Sequence, residues 1–276
     1  MKNRLVYWMF RFASTWRWYL GAKVGKEVRG VRLQAFVREV YQDDRHYHAF
    51  DLVRAVRRYW QSRKGRVNLR SLGAPSKTTN KTERSVSSLV ATNAIADREG
   101  RLLFRLALWL GAQNLLEFGT NAGLSTLYLH AADTRAHLAT VEGNPEVAAL
   151  AKETFAKAGV GPGLRAHVCL FQEWLDTQNE DDPVVDLFFL DGDHREAPTL
   201  SYVRSLLSRV SPTSVFVIAD IHWSAGMERA WKQLKTFPKV KASLDLYHFG
   251  ILFFDPEMEE EHVSLAPTVL KPWRAL

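Results

Sequence analysis

The residues best suited to chemistry are acids, histidines and glycines spaced through the second half of the chain. Glu117-Phe118-Gly119-Thr120-Asn121-Ala122-Gly123 closes one apolar run and opens a helical pattern. Glycines at a strand-to-helix turn let backbone N–H groups approach a ligand closely. The Gly-x-x-x-Gly spacing is neither the Gly-x-Gly-x-x-Gly of dinucleotide sites nor a P-loop, which ends in Gly-Lys-Ser/Thr. Taken alone it also fits a plain tight turn. Glu142 lies 23 residues after Gly119, at the end of the next apolar run. From that place a carboxylate can accept hydrogen bonds from both hydroxyls of a ribose. Asp191 and Asp220 end two further runs. On adjacent strands their carboxylates would converge, and hard cations such as Mg²⁺ or Mn²⁺ prefer oxygen ligands. His194 and His222 follow closely, and an imidazole titrates where proton removal at neutral pH is useful. His194 equally suits capping of the next turn.

These residues need a frame. Segments 114–118, 138–142, 164–170, 184–190 and 214–219 read as strands. Helical patterns around 125–132, 145–158, 199–210 and 227–236 separate most of them. Short apolar runs alternating with helices predict a parallel sheet covered on both faces. Segments 241–247 and 250–254 are joined too tightly for a parallel crossover, which predicts an antiparallel hairpin. The acids then fall at strand carboxyl ends, where ligands of such sheets bind. Upstream, 31–60 carries apolar residues near a 3.6 spacing, 71–88 reads as a polar loop, and 91–110 reads as one helix.

In this order the motifs resemble the class I S-adenosylmethionine-dependent methyltransferases. The resemblance is closest to the catechol-O-methyltransferase-like branch and to bacterial members sharing Asp220-Ile221-His222-Trp223-Ser224. Its carriers are the glycine loop, Val141-Glu142-Gly143-Asn144-Pro145, and Phe188-Phe189-Leu190-Asp191-Gly192-Asp193-His194. It covers 101–254 and implies an α/β, Rossmann-like fold. The sheet would be seven-stranded and mostly parallel, with a C-terminal antiparallel hairpin, and a helical N-terminal extension would precede it. The implied cofactor is S-adenosyl-L-methionine. Glu117 would take the amino group of its methionine moiety, above a loop of Gly119, Thr120, Asn121 and Gly123. Ser125 would contact its carboxylate or simply cap the helix. Glu142, with Gly143 and Asn144, would hold the ribose, and Gln172 would face the adenine.

The resemblance also implies chemistry. Asp191, His194, Asp220 and His222 form the implied catalytic set, and Asp191 also touches the cofactor. His194 stands near the place of the branch's lysine base. Asp191 and Asp220 would hold a divalent cation. Ile221 occupies the position of an asparagine ligand, so His222 or Asp193 would have to complete that shell. Otherwise the aspartates serve cofactor and substrate directly. The Asn/Asp-Pro-Pro-aromatic motif of base-amine methyltransferases does not follow the fourth strand. The resemblance therefore implies a hydroxyl acceptor on a small molecule or sugar.

Of 276 residues, 46% are hydrophobic and 24% charged, enough apolar material to exclude disorder throughout. The single Cys169 excludes an internal disulfide framework and a cysteine zinc site. The net charge of +7 is unevenly placed. Residues 1–75 hold 17 Lys or Arg against 5 Asp or Glu, and the remainder holds 20 against 25. We therefore divide the chain into a basic helical extension with linker, 1–90, and a methyltransferase domain, 91–276. Arg4, Arg11 and Arg17 interleave with Tyr7, Trp8, Phe10, Phe12, Trp16, Trp18 and Tyr19. That pattern fits a membrane surface, a nucleic acid, or a helix packed on the domain or across a homodimer. RNA methylation and a non-catalytic nucleoside-binding or membrane-peripheral module are the corresponding alternatives. The arginines leave no run near the roughly 18–20 apolar residues of a span, and no small-x-small cleavage site follows. The expected location is the cytoplasm, with peripheral membrane contact as the variant.

Overall fold

The computed structural model describes residues 2–69, 83–179 and 181–266. Helices come first: α1 (Lys2–Gly21), α2 (Val31–Phe36), which continues as a π-helical turn over Val37–Tyr41, and α3 (His48–Ser62). A two-stranded antiparallel ladder pairs β1 (Arg66–Asn68) with β2 (Glu83–Ser85), and α4 (Val86–Asn93) and α5 (Asp97–Leu110) follow. The chain then alternates through β3 (Asn114–Phe118), α6 (Leu124–Ala132), β4 (His137–Val141), α7 (Pro145–Ala158) and β5 (Leu164–His167). It continues with α8 (Phe171–Asp176), β6 (Leu187–Leu190), α9 (Glu196–Leu206), β7 (Val215–Ala219) and α10 (Ala225–Leu234). Three strands finish it: β8 (Ala242–Asp245), β9 (Phe249–Phe253) and β10 (Glu261–Ser264).

The large sheet has the order β10-β8-β9-β7-β6-β3-β4-β5, with only β9 running against the rest. From β3 the chain moves outward through β4 to β5, then returns to the other side through β6 and β7. The β3/β6 boundary is therefore the switch point of the sheet. Period-2 alternation sends Leu115, Leu187, Phe189 and Val217 to one face and Leu116, Phe118, Phe188 and Phe216 to the other. The first face packs against α2–α7, with Phe36, Phe50, Trp60 and Leu103 almost fully buried. The second packs against α8, α9 and α10. Segments 31–69 and 83–90 thus share one core with the sheet.

Local chemistry sets the helix ends. Asn144 caps α7 by accepting from Glu146 N–H at 3.1 Å, Pro145 takes the first turn, and Gly159 closes it at φ 64°. Ser224 caps α10 by accepting from Met227 N–H at 3.2 Å.

Four expectations change. The sheet has eight strands, not seven. Strand β10 was illegible because only Val263 of its four residues is buried. The polar loop over 71–88 ends earlier. Residues 71–82 lie outside the described residues, but 83–85 pair as β2 and Ser85 caps α4 by accepting from Ser88 N–H. The helix over 91–110 is two helices. Thr92 and Asn93 are engaged by Arg84, and Ala94 and Ala96 are extended. The strands over 164–170 and 184–190 are trimmed to β5 and β6, and Leu170 instead opens α8.

Candidate active site

The loop after β3 is shaped by its neighbours. Gly119 has φ +105°, and a Cβ there would lie 2.2 Å from the Asp191 carbonyl oxygen. A side chain is excluded because β3 and β6 run in register into the same edge, with Phe118 opposite Leu190. Gly123 has φ +82°, and a Cβ would sit 2.7 Å from the Phe155 ring. Gly119 thus brings the loop against the end of β6, and Gly123 brings it against α7.

Glu117 is fully buried. Its Oε2 accepts from Thr126 Oγ1 at 2.5 Å and from Thr140 Oγ1 at 2.6 Å, and Thr120 donates onward to Thr140 at 2.6 Å. Its Oε1 has no hydrogen-bond partner. Burial raises its pKa, opposed by Ser125, Thr126 and Thr140. A buried carboxyl with one idle oxygen favours a donor there, and a cationic donor would hold it ionised. Thr120 is 2% exposed, so it holds Glu117 through Thr140 and does not itself face open space. Ser125 is buried beside Glu117, and the helix cap is Gly123.

Glu142 sits just past β4. Its Oε2 accepts from Asn121 N–H at 3.0 Å and its Oε1 from Asn144 N–H at 2.9 Å, while burial raises its pKa. The carboxylate is thereby fixed with lone pairs to spare. Glu142, Asn121, Gly143, Gln172, Asp191 and Gly192 all line one cavity of about 250 Å³. The Phe171 ring, stacked on Phe118 at 4.7 Å, forms a flat wall of the same cavity. Gln172 also donates to Asp176 Oδ1 at 2.8 Å. The Asn144 side chain is taken up by its cap and by the Asn68 carbonyl at 3.0 Å, so only its N–H serves the site.

Asp191 and Asp220 do converge. Asp191, His194 and Asp220 each offer a ligand atom within 4.8 Å of the others. His194 Nε2 stands 3.8 Å from Asp191 Oδ1 and 3.9 Å from Asp220 Oδ2. Burial lifts the Asp191 pKa well above the carboxylate range, and the Asp220 and Glu117 charges add to the rise. Burial lowers the His194 pKa, and the Asp220 and Asp193 charges oppose it. The site sets two carboxyl groups against one imidazole, and burial disfavours the charged form of both Asp191 and His194. Ile221 is fully buried. Asp193 is engaged by Arg195 and by Tyr202 Oη at 2.8 Å. Asn121, Asp193, His194, Asp220 and Tyr247 hold positive φ. All five lie at the carboxyl edge, the kind of clustering seen where backbone strain serves a site.

His222 is placed elsewhere. Its Nε2 meets Asp245 Oδ2 at 2.9 Å and its Nδ1 meets Glu228 Oε1 at 3.1 Å, with Ser14 Oγ at 3.3 Å and the Tyr247 ring stacked on it at 5.1 Å. Burial lowers its pKa, but the two carboxylates prevail and the net shift is upward. Such an imidazole donates from both nitrogens and ties α1, α10 and β8 together. Its partners are 6 to 208 positions away in sequence, and no local spacing announces them. Trp231 and Trp174 are core residues.

A second cavity, of about 800 Å³, opens on the same edge and is lined by Trp18, Tyr41, Arg98, Arg101, Tyr247 and His248 among others. The His248 carbonyl accepts the Asp220 N–H at 2.7 Å, which puts this cavity next to Asp220. Sequence spacing could not join Trp18, Tyr41 and Tyr247 to this site.

A mostly parallel sheet with one reversed strand, a glycine loop at its switch point and acids at four strand ends is the arrangement that the resemblance to class I S-adenosylmethionine-dependent methyltransferases implies. Residues 116–221 match the family described as "Methyltransferase domain". A curated "Putative O-methyltransferase" of Mycolicibacterium vanbaalenii is 33% identical over 117 residues, 42% of this chain and 50% of that protein. The chain thus spans about half the length of that relative. An O-methyltransferase from Streptomyces achromogenes, solved with S-adenosylmethionine, superposes with a TM-score of 0.55 at 18% identity over 79% of this chain and 95% of that one. One from Bacillus cereus, solved with S-adenosylhomocysteine, gives 0.55 at 17% identity over 80% and 96%. These findings bear out the resemblance to the catechol-O-methyltransferase-like type. No helix among the described residues is long and apolar enough to cross a membrane.

Proposed function

We propose that the chain transfers a methyl group from S-adenosyl-L-methionine to a hydroxyl of a small-molecule or sugar acceptor. One observation carries the reading: the idle Oε1 of Glu117, two residues before Gly119, which lines the switch-point cavity with Glu142 and Asp191. The residues present fit the cofactor, since its amino group and sulfonium are cationic and this edge is rich in carboxylates. Bound there, it supplies an electrophilic methyl. Glu117 Oε1 accepts from the amino group, Glu142 accepts from the ribose hydroxyls, and Phe171 covers the base. The acceptor enters from the cavity bearing Tyr247 and His248. Its hydroxyl is oriented by Asp220, and its proton passes to His194 Nε2 as the oxygen attacks. Asp191 and Asp220 hold the resulting imidazolium.

The same three side chains fit a divalent cation, which would acidify the hydroxyl. Two carboxylates and an imidazole suit Mn²⁺ better than Mg²⁺. His194 Nε2 then serves as a ligand and not as the base. Methyl transfer from labelled cofactor to a panel of phenols, catechols and sugars tests the reading. Activity on at least one hydroxyl, lost in His194→Ala, supports it. Transfer to none, or only to amines, overturns the acceptor class. Activity abolished by EDTA and restored by Mn²⁺ assigns the three residues to a metal, and indifference to EDTA assigns His194 to the proton.

A further inference from the structure

Helix α1 is built inside out for a helix in water. Its face toward the body carries polar groups. Arg11 donates to the His222 carbonyl at 3.2 Å, Ser14 to Glu228 at 2.5 Å, and Trp18 Nε1 to the Asp245 carbonyl at 3.2 Å. Thr15 Oγ1 pairs with Tyr247 Oη at 2.6 Å. The opposite face presents Val6, Trp8, Met9, Phe12 and Trp16, exposed by 65, 59, 63, 73 and 50%. Trp8, Phe12 and Trp16 recur every fourth residue and so form one ridge, with Phe12 and Trp16 stacked. Surface helices of soluble proteins show the reverse arrangement.

We infer that this ridge is a docking surface for an anionic lipid bilayer. Charge is the first argument. Residues 1–30 contain seven Lys or Arg against a single Glu. Arg17 flanks the ridge with its side chain 66% exposed even while paired to Glu228, and Lys26 and Arg29 follow the helix at the surface. Aromatic residues on one face with basic residues at its margins are what a helix lying in a headgroup layer requires. Area and shape are the second argument. The five side chains expose on the order of 500 Å² of apolar surface, which exceeds scattered surface hydrophobes. It is comparable to the apolar share of the roughly 800 Å² that each partner of a stable complex buries, so charge and shape separate a bilayer from a second copy. A second copy would have to supply a matching groove for the ridge, whereas a fluid bilayer needs none.

The test is flotation of the full chain with vesicles of phosphatidylcholine alone and of phosphatidylcholine mixed equally with phosphatidylglycerol, beside the triple variant Trp8→Ser, Phe12→Ser, Trp16→Ser. These side chains are mostly exposed, and an unchanged thermal midpoint establishes that the variant folds. The expected result is recovery with the anionic vesicles about tenfold above the neutral ones, and loss of that recovery in the variant. Absence of the wild-type chain from both floated fractions overturns the inference. So does equal recovery of wild type and variant. A wild-type dimer in sedimentation that becomes a monomer in the variant assigns the ridge to a second copy, and likewise overturns it.

Discussion

Glu117→Gln separates a binding role from a structural one. The side chain is fully buried, its Oε2 accepts from Thr126 and Thr140, and its Oε1 is idle. Glutamine has the same shape. Its amide oxygen must face the two threonine donors, which puts its NH₂ where the idle Oε1 stood. The fold keeps both hydrogen bonds and sheds a buried charge, so stability should change by no more than about 1 kcal/mol. Cofactor binding changes differently. The ammonium of the methionine moiety loses a charged acceptor and meets a donor. A hydrogen bond to a charged group contributes about 1.5–3 kcal/mol, which is roughly tenfold to a hundredfold in Kd. Calorimetric titration with S-adenosylhomocysteine, beside thermal denaturation, reads both quantities. A Kd within about threefold of wild type, at an unchanged midpoint, would refute the assignment of Oε1 to the amino group.

Three further outcomes follow. Gly119→Ala forces a β-carbon into the Asp191 carbonyl at φ +105°. Strain and overpacking together should cost at least about 3 kcal/mol, or roughly 10 °C of midpoint, read by calorimetry, and an unchanged midpoint contradicts the packing. His222 should titrate by NMR above its ordinary 6.5. Its raised native pKa means that the clamp's contribution to stability is complete below pH 6.5 and is lost as pH rises through the native value. A midpoint at or below 6.5 refutes the clamp. Asp245→Asn should move that midpoint downward, and no movement would show that Asp245 does not hold the proton.

What the sequence disclosed was local. Glu117, Gly119, Glu142 and Asp191 each close a strand, and strand ends are legible because apolar runs stop there. The prediction that Asp191 and Asp220 converge needed only two adjacent parallel strands. The π-turn after α2, the short α8 and the edge strand β10 carry too few buried residues to leave a period. Contacts across 200 residues are illegible by nature. The sequence offered His222 as a base, yet Ser14, Glu228 and Asp245 make it a cationic tie. Thr120 and Asn144 match the motif, but hydrogen bonding assigns them to holding Glu117 and capping α7. The uneven charge of the first 75 residues was visible as composition. Which face of α1 carried the aromatic residues outward was not.

The central claim is a cofactor site at the switch point, and a crystal grown with S-adenosylhomocysteine tests it most directly. Electron density should place the amino group on Glu117 Oε1 and the ribose hydroxyls on Glu142, with adenine against Phe171. Density elsewhere, or a cavity that stays empty at saturating ligand, would contradict it.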